Sequence, residues 1–209
     1  MDLIFYMNIN EYQNYHETKA HTSAEFPYNT YLCSIPLDFP GVPLHWHDEL
    51  ELVVIKRGQG FVSVDFDKRL VHSGDIIIIP PRCLHAIEQD DTFKMEYENI
   101  IFKPDLLSSG ANDLCMIQYI VPLLDGSLPI EYFLTPALGS FEALSNCIRQ
   151  IDLVCADQTP GWQLAVKSSL FNFFFLLISE RQKKTVSTSS NSKSLEKMKT
   201  VLKYVENHY

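Results

Sequence analysis

Four side chains in the first half of this chain have the types and spacing of a metal or polar-ligand site. His45, His47 and Glu51 stand at even offsets. On a continuous strand all three point to one face. His85 closes a later segment and is placed to converge on them. Three imidazoles and one carboxylate suit zinc, iron, nickel or manganese. The same groups suit hydrogen bonding to a polar ligand in the mouth of a barrel. A plain hydrogen-bonded polar cluster is the third reading. Arg82 offers a forked donor to a carboxylate or phosphate on a ligand, and a surface arginine fits it equally well. Trp46 alternates away from His45 and His47, which points to packing rather than ligand contact.

The elements that must carry these residues are strands. Apolar runs of strand length recur between 31 and 102: Tyr31–Ile35, Leu50–Ile55, Phe61–Phe66, Ile76–Ile79 and Met95–Phe102. Pro40-Gly41, the run Lys56 to Gly60, Ser73-Gly74-Asp75 and Pro80-Pro81 separate them as turn signals. Gly58 and Gly74 are expected at positive φ, and Pro80-Pro81 is expected to end a strand. The spacing predicts an antiparallel sandwich or barrel.

Beyond Pro104 the pattern changes. Residues 104–136 are broken by proline and glycine and read as short helices and loops. Phe141, Leu144, Ile148, Ile151 and Cys155 then recur at steps of three and four, predicting a helix over about 137–156. That stripe packs either on the barrel or on a second chain. A second helix is predicted over 161–181, with Thr159 as cap and Pro160 at its first position. Residues 183–193 are polar, serine-rich and aperiodic, as in a flexible linker. Residues 194–209 open a new amphipathic helix on Leu195, Met198, Leu202 and Val205. One helix cannot bury its own stripe, so the expectation is a chain cut just inside a further domain.

Charge follows the same division. The 209 residues carry 17 basic and 26 acidic groups, a net charge of −9. Residues 183–209 hold six lysines and two glutamates, a net of +4, which leaves −13 on residues 1–182. An acidic body argues against a nucleic-acid surface spread over the whole chain. Five cysteines without a CxxC pair indicate neither a disulfide framework nor a zinc–thiolate site. The N-terminus lacks the basic start and apolar run of a signal peptide. No apolar run reaches the roughly 20 residues needed to span a bilayer. A cytoplasmic protein without membrane partners is expected.

The two blocks that carry the chemistry also resemble a known pattern. Gly41, His45-x-His47-x3-Glu51-x6-Gly58 and then Gly74-x5-Pro80-x4-His85 are similar to the two cupin motifs. The spacing after Gly41 is shorter than usual. Arg82 stands where metal-binding cupins usually have glycine, and Gln89 where they often have asparagine. The fuller run His45-Trp46-His47-Asp48-Glu49-Leu50-Glu51-Leu52, with Gly74-Asp75-Ile76-Ile77-Ile78-Ile79-Pro80-Pro81 and His85, resembles the sensor domain of AraC-family transcription regulators. The resemblance covers roughly residues 30 to 209.

It implies a mainly β fold with C-terminal helices, a cupin-like double-stranded β-helix barrel followed by a helical dimerisation region. The expected divisions are a lead-in over 1–30, a sensor barrel over 31–103, a dimerisation region over 104–182, a linker over 183–193 and the first helix of a truncated DNA-binding domain over 194–209. The barrel would bind a small-molecule effector, a sugar or similar polar compound, through His45, His47, Glu51, Arg82 and His85. No cofactor is expected, since such sensors commonly bind organic ligands directly. A divalent transition metal at His45, His47, Glu51 and His85 remains the other option. Phe141, Leu144, Ile148, Ile151 and Cys155 would form a homodimer contact, and DNA would be reached only through the domain that this chain lacks. The rival reading is a metal-dependent cupin enzyme, a dioxygenase or isomerase. A dimerisation module with a vestigial pocket is a third.

Overall fold

The computed structural model describes residues 9–110 and 113–183. Eight strands and four α-helices follow one another along this stretch. They are α1 (Ile9–Gln13), β1 (Tyr28–Ile35), β2 (Gly41–His45), β3 (Leu50–Val64), β4 (Asp67–His72), β5 (Ile76–Ile79), β6 (His85–Gln89) and β7 (Met95–Phe102). After them come α2 (Val121–Leu124), β8 (Phe133–Leu134), α3 (Phe141–Asp157) and α4 (Trp162–Lys183). The linker over 183–193, past its first residue, and the helix over 194–209 lie outside the described residues, as do residues 1–8 of the lead-in.

The strands close a double-layered antiparallel barrel, and β3 belongs to both layers. Its first half pairs with β5 and β7, and its second half with β4 and β6. The runs Leu50–Ile55 and Phe61–Phe66 are therefore not two strands parted by a turn. Leu50–Val64 is one strand of 15 residues, bent where its register against β7 shifts between Ile55 and Arg57. Gly58 makes the bend possible. It has φ +77°, and a Cβ there would stand 1.8 Å from the Lys94 carbonyl oxygen. The actual turn comes later, at Asp65 and Phe66, both with positive φ. Two such residues make the tight hairpin whose twist suits the flanking strands.

Side-chain alternation divides the interior. From β3 and β5, Val53, Ile55, Ile77 and Ile79 point into the barrel. There they meet Val62, Val64, Ile87, Met95 and Tyr97. Leu50, Leu52, Val54, Ile76 and Ile78 point the other way, onto the helices. The outer face of the sheet shares one buried cluster with Leu144, Ile148 and Ile151 of α3 and with Val166, Leu170, Phe173 and Leu177 of α4. Barrel and helices thus bury one face between them rather than standing as separate globules.

Several sequence expectations need adjustment. β2, β4 and β6 carried no apolar run; β4 in particular is almost wholly exposed. The stretch 104–136 contributes a two-residue strand, β8, which pairs with β5 at the sheet edge. Pro160 does not begin α4. Gln158 and Gly161 both take the left-handed conformation, and the helix starts one residue later at Trp162. Gly74 has the expected positive φ, and β5 ends at Ile79, just before Pro80.

α4 is long and apolar enough to cross a membrane by length and composition. Here Leu164 and Phe175 are exposed, while one side of it, Val166, Leu170, Phe173, Phe174 and Leu177, sits in the core. The dimer stripe on α3 has the same fate. Phe141, Leu144, Ile148 and Ile151 are buried in the chain's own core, and Cys155 packs half-buried against it. The stripe is therefore core packing and not an exposed seam.

Candidate histidine site at the end of the barrel

The polar residues collect at one end of the barrel, above its apolar filling. Along β3, Glu51 shares the inward parity of Val53 and Ile55. β2 and β6 bring His45 opposite His85 as register partners. β2 stops at His45, and the chain bends through 47–49 before β3 begins. The inward parity survives that break, so His47 also joins the group.

His45, His47 and His85 each present a ring nitrogen, and the three nitrogens lie within 4.8 Å of one another. The His45 and His85 rings are 4.0 Å apart, centre to centre. Two backbone carbonyls fix the orientation of these rings. His45 Nδ1 donates to the Pro43 carbonyl and His85 Nδ1 to the Cys83 carbonyl, each at 2.9 Å. With the hydrogen on Nδ1, a neutral ring turns its Nε2 lone pair into the cluster. Carbonyl-oriented imidazoles of this kind are the usual support of metal-ligating histidines.

Glu51 serves the cluster from beside it. His47 Nε2 donates to Glu51 Oε2 at 3.0 Å, and both side chains are almost fully buried. Burial alone would push the Glu51 carboxyl up; the His47 hydrogen bond and the neighbouring His85 outweigh it and hold the carboxyl far below the usual range. Burial likewise works against a charged His47, and Glu51 overcomes it, raising the imidazole. Burial, together with His85, pushes His45 down to about 4. The result is one ion pair, His47–Glu51, beside a neutral His45. His85 Nε2 is buried without a hydrogen bond, 3.5 Å from Glu51 Oε2.

Arg82 does not enter this group. Its guanidinium is exposed and pairs with Asp48, Nε to Oδ1 at 2.9 Å. Its backbone N–H donates to the His47 carbonyl at 2.8 Å, so the residue clamps the loop under His47. Arg82 has φ +64°, a left-handed position that glycine occupies without strain.

The sequence reading did not include the lead-in. Trp46 is buried, as expected, but its neighbours are Tyr12 and His16, which stack on its ring at 4.9 and 4.2 Å. His16 and Trp46 form a parallel bridge. That bridge sets Glu17 and His21 over the cluster. Glu17 Oε2 lies 2.9 Å from His21 Nε2 and 3.5 Å from His45 Nε2. The His21 ring is 5.7 Å from that of His47. The only local hint was the spacing of Glu17 and His21, four residues apart in a short segment rich in aromatics.

A family description, the AraC-like ligand binding domain, matches residues 31–174. The chain belongs to the AraC-like ligand-binding domain family. Among curated proteins, this AraC-like chain is 24% identical over 198 residues to YdeC of Bacillus subtilis (strain 168), an uncharacterized HTH-type transcriptional regulator. That match covers 94% of this chain and 67% of YdeC. It is 22% identical over 167 residues to YbfI, another such regulator of the same organism, covering 80% of this chain and 56% of YbfI. The chain thus spans 67% and 56% of the lengths of these two relatives.

Solved structures are also similar to part of the AraC-like chain. A cupin protein from Bacteroides fragilis matches at 22% identity and a TM-score of 0.35, over 44% of this chain and 75% of that one. A predicted oxalate decarboxylase from Thermotoga maritima matches at 25% identity and a TM-score of 0.32, over 35% and 64%.

Proposed function

We propose that this chain is the effector-sensing and dimerisation part of a DNA-binding transcription regulator, and that the effector seat is the histidine end of the barrel. The observation that carries this reading is the cluster of His45, His47 and His85, with an orphaned, buried His85 Nε2 aimed into it. A buried polar atom without a partner costs free energy that a ligand can recover. The rest of the barrel interior is filled by Val53, Ile55, Val62, Ile77, Met95 and their neighbours. The effector is therefore small and polar, and it sits at the mouth rather than in a deep cavity. A sugar or similar polar compound fits that place.

The donor set also fits a divalent transition metal. Three imidazoles, two of them oriented by carbonyls, and the Glu51 carboxylate beside them would hold it. Such a cation would supply positive charge to an oxygen-bearing effector. The curated relatives are named as regulators, which supports a sensor over a cupin enzyme. In the whole protein, effector binding would shift the arrangement of two chains and so the presentation of DNA-reading units.

A thermal-shift screen of divalent metals, sugars and small acids tests this directly, because a ligand of the native state raises its melting temperature. At a concentration 100 times Kd the stabilisation is about 2.7 kcal/mol. The expected result is a rise that His85→Ala abolishes. A rise that survives in His85→Ala places the seat elsewhere.

A further inference from the structure

The histidine cluster has a second carboxylate, which comes from outside the barrel. Glu17 belongs to the segment between α1 and β1, and neither barrel motif contains it. Its position is set by backbone contacts. The Trp46 N–H donates to the Tyr15 carbonyl and the Glu17 N–H to the Trp46 carbonyl, both at 2.9 Å. Trp46 Nε1 donates to the Tyr12 carbonyl at 2.9 Å. These bonds bracket the residue immediately after His45, so Glu17 comes to lie against His45 by register.

The carboxylate is directed at the cluster. Glu17 Oε2 is 3.5 Å from His45 Nε2, the nitrogen left without a hydrogen when Nδ1 donates to Pro43. An oxygen with lone pairs therefore faces a nitrogen with a lone pair. Two acceptors that close repel unless a cation or a proton lies between them. His85 Nε2, with no hydrogen bond, belongs to the same cluster, its ring 4.0 Å from that of His45. Each carboxylate is held at the cluster by a histidine, Glu51 Oε2 by His47 at 3.0 Å and Glu17 Oε2 by His21 at 2.9 Å. Three imidazole nitrogens together with the Glu17 carboxylate against His45 make a four-donor set of the kind that divalent transition metals take.

We propose that Glu17, from the N-terminal segment, is a ligand of a divalent transition metal held by His45, His47 and His85. The assignment rests on the reading that the histidine cluster is a binding site. Its consequence is structural: a metal held in this way ties the segment around residues 12–21 to the barrel mouth through a coordination bond.

The test is a Co2+ titration of the full 209-residue chain, followed by the visible absorption of the bound ion. Glu17→Gln keeps size and loses the anionic ligand. Glu25→Gln, exposed on the same segment, is the control. Wild-type protein should take up one Co2+ per chain. Glu17→Gln should weaken binding about 10- to 100-fold and should change the visible bands. Glu25→Gln should do neither. Hydrogen exchange of the wild-type chain adds a measurement that needs no variant, with Co2+ slowing exchange across residues 12–21. Glu17→Gln with unchanged affinity and bands overturns the assignment of Glu17 and leaves the histidine site standing. Absence of slowed exchange in Co2+-loaded wild type counts against it equally. Failure of the wild-type chain to bind Co2+ overturns both the metal at the cluster and the role of Glu17, while the organic effector reading is still judged by its own thermal-shift screen.

Discussion

His47 and Glu51 form a buried ion pair in the site, and their titrations shift in opposite directions. Glu51 lies below the ordinary carboxylate value of 4.5, so it contributes stability above that pH and loses it as pH falls through the depressed value. His47 lies above the ordinary 6.5, so it contributes stability below 6.5 and loses it as pH rises through the raised value. In metal-free protein the pair therefore stabilises most between pH 4.5 and 6.5. Melting curves of wild type and Glu51→Gln with chelator present should diverge most in that window and converge on both sides. A gap that keeps growing above pH 7 would contradict the pairing. His45, His47, Glu51 and His85 were legible as a group because parity along strands survives a local break. Glu17 and His21 were not. Their approach depends on a bridge between His16 and Trp46, 30 residues apart along the chain, which no local periodicity signals. Arg82, whose type suits a ligand contact and a surface position equally well, carries an exposed guanidinium paired with Asp48.

β3 decides how the barrel closes, and two of its residues can be tested for that role. Gly58→Ala forces a Cβ toward the Lys94 carbonyl at a positive φ, and should destabilise the chain by about 1–3 kcal/mol. A lower denaturation midpoint with unchanged slope is the expected readout. Lys56 stands just before that bend and ties the barrel to α3. Its Nζ lies 2.6 Å from Glu98 Oε2 and 3.0 Å from Asp152 Oδ2. Burial and the nearby Asp152 raise the Glu98 carboxyl even with Lys56 beside it. Lys56→Met leaves two carboxylates facing each other. It should cost about 1–2 kcal/mol, less than a fully buried pair because the ammonium is part-exposed. Adding Asp152→Asn should restore much of the loss. The run Lys56–Gly60 read as a turn for a physical reason: glycines mark turns and bulges alike, and only the pairing partners distinguish them. β2, β4 and β6 stayed hidden because strands of five or six residues without an apolar run carry little signal. The helices were plain, since the stripe on α3 runs for four turns.

At the scale of the molecule, the same stripe shows why period alone does not name a partner. Phe141, Leu144, Ile148 and Ile151 satisfy the spacing of a seam between chains, and the barrel and α4 bury them first. What remains apolar on the outside of the two long helices is a different set. Leu153 on α3 and Leu164 and Phe175 on α4 are 60%, 74% and 64% exposed. Leu164 and Phe175 lie three turns apart on one helix, and such exposed apolar residues are the material of an interface. If the chain forms the homodimer expected of a sensor unit, these residues carry it, and the buried stripe does not. The two sets separate cleanly by experiment. Leu164→Asp with Phe175→Asp should leave the far-UV spectrum and melting temperature of the monomer intact and move the sedimentation profile from dimer to monomer. Leu144→Asp should instead unfold the chain, since an unpaired charge in that core costs several kcal/mol. Retention of the dimer in the double variant would place the contact on another face, and the edge strand β1, with Leu32 exposed, would be the next surface to probe.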